Sequence, residues 1–353
     1  MRVGLDARLV GPGLGVATLI TALAAGLPRL GVDVVWFGEP DGAPGGVSEV
    51  VPPPRAVGFP GLDSPLGHRL VARHRVDVMH FAANSGWWTK GPVPHVLTVH
   101  DLMWGEWLMG GRRARQIIGH GYLRLAVPRA LAGAASVAVP SATTAAALLR
   151  RYGTRAEVIA NGVGEQWRGP HPVAAGAPYL VAFSGRDPRK GTEISLDLWA
   201  RVARRGVRLV LLAGAGLPHG MEARLADLAA TGQVEVLPYQ PAPRLVEIVS
   251  GALALLYPSR NEGFGLPVAE AMAAGVPVIT GLAPVTLEIG GDAVLGLGAD
   301  DPAGDGAAHV ERLLVQPDLR LALAARGRER AARFTWADAI ERYGELYARA
   351  LRR

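Results

Sequence analysis

The chain has 353 residues, of which 49% are hydrophobic and 19% charged, as is typical of a globular protein with two ordinary domains. It contains no cysteine, which excludes disulfides, thiolate metal sites and a cysteine nucleophile. The net charge is +6, and among 37 basic residues only Lys90 and Lys190 are lysines. This charge suits an anionic partner, but it does not choose between a nucleotide, a lipid phosphate, a membrane surface and a nucleic acid.

The first residues, MRVGLDARLVGPG, lack an uninterrupted apolar segment followed by a cleavage site of small residues. The sequence also has no uncharged apolar run of about 18 residues, the length that a membrane-spanning helix needs. We therefore expect a soluble, cytoplasmic protein.

In the first half, short apolar runs alternate with helix-length amphipathic stretches, which indicates parallel sheets with crossover helices. Strands are predicted at 3–6, 32–37, 76–81, 95–100, 136–140 and 157–160. Apolar residues from Val16 to Leu30 have helical spacing, and Gly31 is placed to end that helix. Ser141 is placed to cap a later helix.

A second alternating series follows a stretch without helical or strand period. The aperiodic residues 164–178 are rich in Gly, Pro and Ala, and we interpret them as a linker. Strands are predicted at 179–185, 207–214, 234–237, 252–257, 276–280 and 293–297. The sequence thus predicts an α/β protein with two Rossmann-like domains, 1–163 and 179–333, which face each other across a cleft. The last residues, 334–353, are predicted to form an amphipathic helix.

The segment YPSRNEGFGLPVAEAMAAGVPVIT, residues 257–280, is the most informative in the chain. A buried strand is followed by a glycine-containing loop, and Pro267 stands where a helix begins. Gly263 and Gly265 would let backbone N–H groups approach a ligand, and a helix N-terminus attracts anions. Two carboxylates, Glu262 and Glu270, flank this anion site, and hydroxyl groups of a ribose and a hexose are their natural partners.

This segment resembles the E-x7-E motif of the family 4 retaining glycosyltransferases, which have the GT-B fold, with the C-terminal helix crossing back to the N-terminal domain. The resemblance implies that Glu262 contacts the donor sugar and that Glu270 holds the ribose hydroxyls. It also implies that the backbone of Gly263, Phe264, Gly265 and Leu266 contacts the sugar and the distal phosphate.

A second segment, FSGRDPRKGTEISLDLW at 183–199, is similar to a family segment in which an arginine and a lysine bind the diphosphate. The resemblance gives these roles to Arg186 and Lys190. Gly191 stands where the family usually has an asparagine, so we expect any contact from that side chain to be absent.

Two further segments resemble the family in the first half. TVHDLMWGEW at 98–107 places His100 at a strand end, where the resemblance implies a position near the donor sugar. GPGLGVAT at 11–18 resembles the family's glycine-rich loop, so Gly13 and Gly15 are expected near the phosphates. The same glycines could suggest a nicotinamide dehydrogenase, but their spacing does not fit G-x-G-x-x-G.

The resemblance implies transfer of a hexose or deoxyhexose from a nucleotide diphosphate sugar to a hydroxyl of a glycan, lipid-linked or small-molecule acceptor in glycoconjugate biosynthesis. We expect no cofactor, no metal and no nucleic-acid partner. A GT-B epimerase, a phosphorylase and a non-catalytic nucleotide-sugar binder remain as alternatives. The basic run at 111–131 is either a surface for peripheral contact with anionic membrane or an ordinary helix with arginines facing water.

Overall fold

A computed structural model of the chain describes residues 1–8, 10–11, 15–52, 62, 65–88, 90–102, 114–170 and 176–352; side chains at 65, 66, 114–120, 122 and 215 are also outside the description. The chain forms two compact units. The first comprises Met1–Gly162 with Trp336–Arg353, and the second comprises Val163–Thr335.

The first unit contains one parallel sheet, built in its described part from seven strands. These are β1 (Arg2–Asp6), β2 (Asp33–Phe37), β3 (Glu49–Val51), β4 (Val78–Phe81), β5 (His95–Thr98), β6 (Ser136–Val139) and β7 (Glu157–Val158). They are arranged in the order β3-β2-β1-β4-β5-β6-β7.

Helices cover both faces of this sheet, as parallel strands require. They are α1 (Gly15–Gly26), α2 (Pro65–Arg73), α3 (Ala114–Gly133), α4 (Ala142–Tyr152) and the final helix α12 (Trp336–Ala350). Strand β2 shows how the two layers form, because Val34 and Trp36 join one buried cluster while Val35 and Phe37 join the other. The predicted Ser141 cap is confirmed, since its side chain accepts a hydrogen bond from Thr144 N at 3.1 Å.

The final helix α12 is fixed to the first unit by buried polar contacts as well as by its apolar face. The Tyr343 hydroxyl lies 3.0 Å from Thr98 Oγ1, and the Tyr347 hydroxyl lies 2.8 Å from His80 Nδ1. His80 Nε2 in turn lies 2.8 Å from Thr98 Oγ1. Burial lowers the pKa of His80 to about 3, so its imidazole is neutral at pH 7. The predicted return of the C-terminal helix to the first unit is confirmed.

The second unit contains another parallel sheet. Its strands are β8 (Tyr179–Gly185), β9 (Arg208–Ala215), β10 (Val234–Leu237), β11 (Ala254–Tyr257), β12 (Val278–Thr280) and β13 (Val294–Gly296). Its helices are α5 (Thr192–Val202), α6 (Glu222–Ala230), α7 (Ala242–Ser250), α8 (Leu266–Ala273), α9 (Pro284–Gly290), α10 (Pro302–Val315) and α11 (Pro317–Ala331). The strand order is β10-β9-β8-β11-β12-β13.

Both sheets place their first strand beside their fourth, as in the Rossmann order 3-2-1-4-5-6. The chain therefore leaves β1 and β4, and likewise β8 and β11, in opposite directions across the sheet. In open α/β sheets the ligand crevice lies at the carboxyl edge of the strands, at the point where this direction changes. The predicted pair of Rossmann-like folds is confirmed.

Several features of the fold were not predicted from the sequence. Strand β3 and helix α2 were missed in the first unit. In addition, the second unit begins at Val163, the last residue of the predicted first domain, and so includes the predicted linker. Within that linker, Glu165–Trp167 forms a 3-10 turn. Trp167 is 2% exposed, so this part of the aperiodic segment packs into the second unit.

Candidate active site

The loops that follow β8 and β11 lie together at the crevice of the second sheet. The backbone N–H of Arg260 donates to the Arg189 carbonyl at 2.8 Å, and the Arg189 guanidinium donates to the Asn261 carbonyl at 2.7 Å. These bonds join residues about 70 positions apart in sequence. The two sequence motifs that follow these strands therefore form one site.

A lysine and a glutamate form the centre of this site. Lys190 Nζ lies 2.7 Å from Glu262 Oε1 and 3.2 Å from the Tyr257 hydroxyl. The same ammonium is 5.3 Å from the centre of the Tyr257 ring, within range of a cation–π interaction. The structure thus brings together two residues that were predicted as site residues from separate motifs.

Two residues that were not predicted complete the environment of Glu262. Arg189 lies 3.0 Å from Glu262 Oε1, and the Ser259 hydroxyl donates to that oxygen at 2.7 Å. Asp187 binds the other side of Arg189, with its Oδ2 2.9 Å from Nε. Two sequence positions could have indicated these residues: Arg189 adjoins Lys190, and Ser259 lies inside the 257–280 motif.

The cations decide the charge state of Glu262. Burial alone would raise the pKa of its carboxyl. The charges of Lys190 and Arg189, with the hydrogen bonds from Lys190 and Ser259, outweigh burial and hold this pKa below its ordinary value. Glu262 is therefore an anion at neutral pH. Arg186, Arg189 and Lys190 carry three positive charges against the two negative charges of Asp187 and Glu262, so these five residues have a net charge of +1.

Gly191 has a structural reason to be a glycine. Its φ is +65°, and a Cβ there would lie 2.5 Å from the Pro258 carbonyl oxygen. The loops after β8 and β11 can approach only because this position has no side chain. We expected the absence of asparagine at this position to mean a lost contact, and the structure shows that any side chain here would push the two loops apart.

Helix α8 points its N-terminus to the same edge of the sheet. Gly265 precedes the helix with a φ of +91°, a backbone conformation that favours glycine, and Pro267 lies in the first turn. Phe264 is 4% exposed and packs edge-on against Phe334, with ring centres 5.4 Å apart. The Phe264 side chain therefore holds the loop in place, and only its backbone is suited to contact a ligand.

Glu270, the second glutamate of the motif, lies in the middle of α8 in a different environment. It is partly buried, and the Trp167 side chain donates a hydrogen bond to it. Burial raises the pKa of Glu270 to about 7, although the Trp167 hydrogen bond opposes the shift. The sequence did not indicate Trp167, because the segment that contains it has no periodic pattern.

Arg186 does not join the ion pair of Lys190 and Glu262. It is exposed, and its guanidinium lies against Gly216, just beyond the end of β9; a Cβ on Gly216 would be 2.7 Å from Arg186 Nε. Within the described part of the chain, no ion pair of Arg186 is found. Its cation therefore faces solvent at the edge of the site.

In the first unit, His100 follows β5 at the carboxyl edge of the sheet. Its backbone N–H donates to Asn84 Oδ1 at 2.6 Å, and its Nε2 lies 2.6 Å from the Ala82 carbonyl oxygen. Nε2 therefore carries the proton and Nδ1 is the acceptor. Burial lowers the pKa of His100 to about 4, so the ring is neutral at pH 7. Asn84 has a φ of +61°, and it was not predicted.

The predicted glycine-rich loop and the basic run lie only partly within the described residues. Gly15 begins α1, whereas Gly13 lies outside the described residues. The basic run at 111–131 falls mainly on α3, and residues 111–113 are likewise outside them. Over the described ranges, no helix has the length and apolarity needed to span a bilayer. Nor do those residues contain a cluster of three or more His, Asp or Glu side chains able to hold a metal ion.

Comparisons with known proteins cover both halves of the chain. Residues 14–167 match the family described as Glycosyltransferase Family 4, and residues 165–330 match Glycosyl transferases group 1. A D-inositol 3-phosphate glycosyltransferase from Segniliparus rotundus is 35% identical over 184 residues. That match covers 49% of this chain and 40% of the relative, so the curated relative is matched over less than half its length.

Solved structures match nearly the whole chain. The crystal structure of WaaG, a glycosyltransferase involved in lipopolysaccharide biosynthesis, is similar with a TM-score of 0.75 at 17% identity, covering 98% of this chain and 99% of that one. Anabaena HepE in complex with UDP and glucose gives a TM-score of 0.74 at 18% identity, again with 98% and 99% coverage. These likenesses confirm the predicted GT-B fold. With adjoining matches that together span residues 14–330, the chain belongs to the family 4 glycosyltransferases.

Proposed function

We propose that this protein transfers a glycosyl group from a nucleoside diphosphate sugar to a hydroxyl acceptor, with retention at the anomeric carbon and without a metal ion. The observation that carries the proposal is the pairing of Lys190 with Glu262, 2.7 Å apart, at the crevice of the second sheet. Lys190 lies in the turn after β8 and Glu262 in the loop that leads to the N-terminus of α8, so a cation, a carboxylate and a helix dipole are available at one edge.

The donor's parts fit separate groups in this site. Lys190, Arg186 and the N-terminus of α8 suit the diphosphate, because all three present positive charge. Glu262 and the backbone at 263–266 suit the hydroxyls of the sugar, and Glu270 suits those of the ribose. The UDP and glucose named for the HepE structure support a donor of this class.

The transfer step breaks the bond between the anomeric carbon and the diphosphate oxygen and forms a bond to the acceptor oxygen. The acceptor attacks from the face that the diphosphate leaves, and its proton passes to the departing phosphate oxygen. The nucleoside diphosphate is the second product, so no protein nucleophile is needed. Lys190 and Arg186 stabilise the negative charge that grows on the leaving group. In this proposal their charges take the part that a metal ion plays in other transferases.

The acceptor belongs to one of three classes: a glycan, a lipid-linked saccharide or a small molecule. The similarity to a D-inositol 3-phosphate glycosyltransferase supports a phosphorylated small acceptor. The contacts of His100 favour a role in the reaction, because its neutral ring keeps Nδ1 as an acceptor for a sugar hydroxyl. We further propose that the protein works in the cytoplasm and contacts the inner face of the membrane only peripherally, with no nucleic-acid partner.

A screen of nucleotide sugars with EDTA present tests the proposal. Each donor is added to the intact chain, and thermal unfolding and release of nucleoside diphosphate are followed together. We expect one donor to raise the unfolding temperature and to be slowly hydrolysed or transferred. Arg224→Ala is a suitable control, because Arg224 is an exposed cation of the same unit, paired with Asp197 at 3.1 Å.

The alternatives give different results in the same screen. An epimerase would convert the donor sugar with no acceptor present, and a non-catalytic binder would be stabilised without any release. Turnover that requires an added divalent cation would contradict metal independence. No response to any donor or nucleoside diphosphate would overturn the transferase proposal itself.

A further inference from the structure

A buried tryptophan from outside the motif contacts Glu270. Trp167 ends the 3-10 turn Glu165–Trp167, is 2% exposed, and donates a hydrogen bond to the Glu270 side chain in the middle of α8. The donor of a tryptophan side chain is its indole N–H. A side chain 103 positions earlier in the sequence therefore supports the carboxylate that the motif supplies.

The turn that carries Trp167 is held on both sides. The Val163 N–H donates to the Phe334 carbonyl at 3.0 Å, and the Arg168 guanidinium donates to the same carbonyl at 3.0 Å. The Phe334 ring packs on Phe264, 5.4 Å between centres, in the loop that leads into α8. The indole thus belongs to a frame that also fixes the loop between the two glutamates.

We infer that Trp167 is a positioning residue for nucleotide binding, whose indole N–H fixes the Glu270 carboxylate so that it can accept hydrogen bonds from the two ribose hydroxyls. This inference rests on the proposed function, because it takes Glu270 as the ribose-binding residue. It adds a residue from the aperiodic segment before β8 to the nucleotide site.

The chemistry of the indole suits this role. A carboxylate has about four lone-pair positions, and a single neutral donor occupies one of them. The others remain for a ribose, and the rigid ring fixes the direction of the carboxyl group. A lysine or arginine at this place would hold the carboxylate more strongly and would compete with the ribose hydroxyls.

The groups around Glu270 leave the indole as its main polar support. Tyr257, at the end of β11, interacts with the Glu270 charge, but burial raises the pKa of this phenol so far that it stays neutral. On α11, Arg328 lies against Gly275, beyond the end of α8. The carboxylates on the neighbouring elements include Glu288 on α9, Glu165 on the turn, and Asp318 and Glu329 on α11. Burial raises the pKa of Glu270 to about 7 and the indole bond lowers it, so the carboxyl titrates near neutral pH.

The experiment compares Trp167→Phe with the unaltered chain by calorimetric titration from pH 5.5 to 8.5. UDP, ADP and GDP are titrated first, and the tightest of the three is carried forward with its 2′,3′-dideoxy counterpart. Phenylalanine keeps most of the packing but removes the N–H. Trp199→Phe is the matched control, since Trp199 is 4% exposed in the same unit and donates to the Val207 carbonyl at 2.9 Å.

We expect Trp167→Phe to weaken binding of the nucleoside diphosphate about threefold to tenfold at pH 7, the loss typical of one hydrogen bond. The dideoxy compound should bind both chains equally. The pH at which affinity is half-maximal should move upward, because removing the donor raises the pKa of Glu270. In a Glu270→Gln background the same change should have no further effect on affinity.

The outcomes separate the two proposals. If the unaltered chain binds none of the three nucleotides, the proposed function fails and this inference fails with it. If it binds but Trp167→Phe behaves like Trp199→Phe, the inference alone is overturned. An equal loss with the dideoxy compound, or an unchanged pH midpoint, would also overturn it, because a merely structural role predicts both.

Discussion

Glu262 and Glu270 lie eight positions apart in one motif, and the structure places them in opposite electrostatic environments. Glu262 is surrounded by Lys190, Arg189 and the Ser259 hydroxyl, which hold its pKa below the ordinary value despite burial. Glu270 accepts a hydrogen bond from a neutral donor, Trp167, and burial raises its pKa to about 7. The partners therefore set the charge, because burial acts on both carboxyls in the same direction.

The difference suits two tasks. A carboxylate that is charged at neutral pH and paired with a lysine can orient a sugar and hold a phosphate-binding cation in place. A carboxyl that titrates near pH 7 and has few partners is ready to take new hydrogen bonds from a ribose.

The largest effect is expected at the ion pair of Lys190 and Glu262. Lys190→Ala should lower turnover about 100-fold to 1000-fold, since it removes the cation that, in the proposed function, stabilises the leaving diphosphate. Glu262 would keep Arg189 and Ser259, so the fold should persist. Steady-state release of nucleoside diphosphate and the unfolding temperature give the two readouts. Turnover close to that of the Arg224→Ala control would contradict the role of Lys190.

Glu270→Gln should separate stability from binding. The ordinary pKa of the carboxyl is 4.5 and its folded value is about 7, so the folded state binds the proton more tightly. The free energy of unfolding therefore decreases as the pH rises from about 4.5 to about 7 and then levels. A glutamine at position 270 does not titrate, so the free energy of unfolding of the variant does not fall for this reason as the pH rises. The variant should be more stable than the unaltered chain at pH 8, by up to roughly 3 kcal/mol, and show little gain at pH 4.

Denaturant unfolding at the two pH values measures that difference. The same variant should bind nucleoside diphosphate more weakly at pH 8, because an amide accepts fewer hydrogen bonds from the ribose than a carboxylate. Equal stability at pH 8 would mean that Glu270 has an ordinary pKa, and the contrast with Glu262 would then disappear.

Gly191→Ala should disturb the ion pair of Lys190 and Glu262 and leave the surroundings of Glu270 intact. Gly206 is the matched control, because both glycines follow a 3-10 turn with φ near +70°. A Cβ on Gly206 meets nothing within 4 Å, whereas one on Gly191 would lie 2.5 Å from the Pro258 carbonyl oxygen. Gly206→Ala should cost about 1 kcal/mol for its backbone conformation, and Gly191→Ala about 1–3 kcal/mol more. Equal costs in chemical denaturation would show that the loops after β8 and β11 can separate freely.

The sequence predicted the strands well and the site contacts only in part. Apolar runs such as 179–185 have the length and pattern of buried strands, so β8 was found at its observed bounds. Strand β3 has three residues, too few to show a pattern, and it was missed. The motif resemblance predicted roles for Lys190, Glu262 and Glu270, and the structure brings the first two into contact. The resemblance could not identify Trp167 or the ion pair between Arg189 and Glu262. Those contacts join positions far apart in the sequence, and no local pattern links them.

The smallest effect is expected at Tyr257, the residue whose charge environment includes both glutamates. Its hydroxyl lies 3.2 Å from Lys190 Nζ, and its ring packs edge-on against Phe183 with centres 6.4 Å apart. Tyr257→Phe removes the hydroxyl and keeps the ring below the ammonium, so Lys190 retains Glu262 and the cation–π contact. Turnover should fall about twofold to tenfold, as for one lost hydrogen bond.

The pH dependence of nucleotide binding should stay the same in Tyr257→Phe, because Glu270 depends on burial and on Trp167 for its pKa. Measuring turnover and the pH midpoint of binding on the same preparation tests whether the two sites are independent. A midpoint shift as large as that of Trp167→Phe would show that the phenol couples the two carboxyls. Glu262 and Glu270 would then titrate as a coupled pair, which would contradict the proposal that they have separate roles.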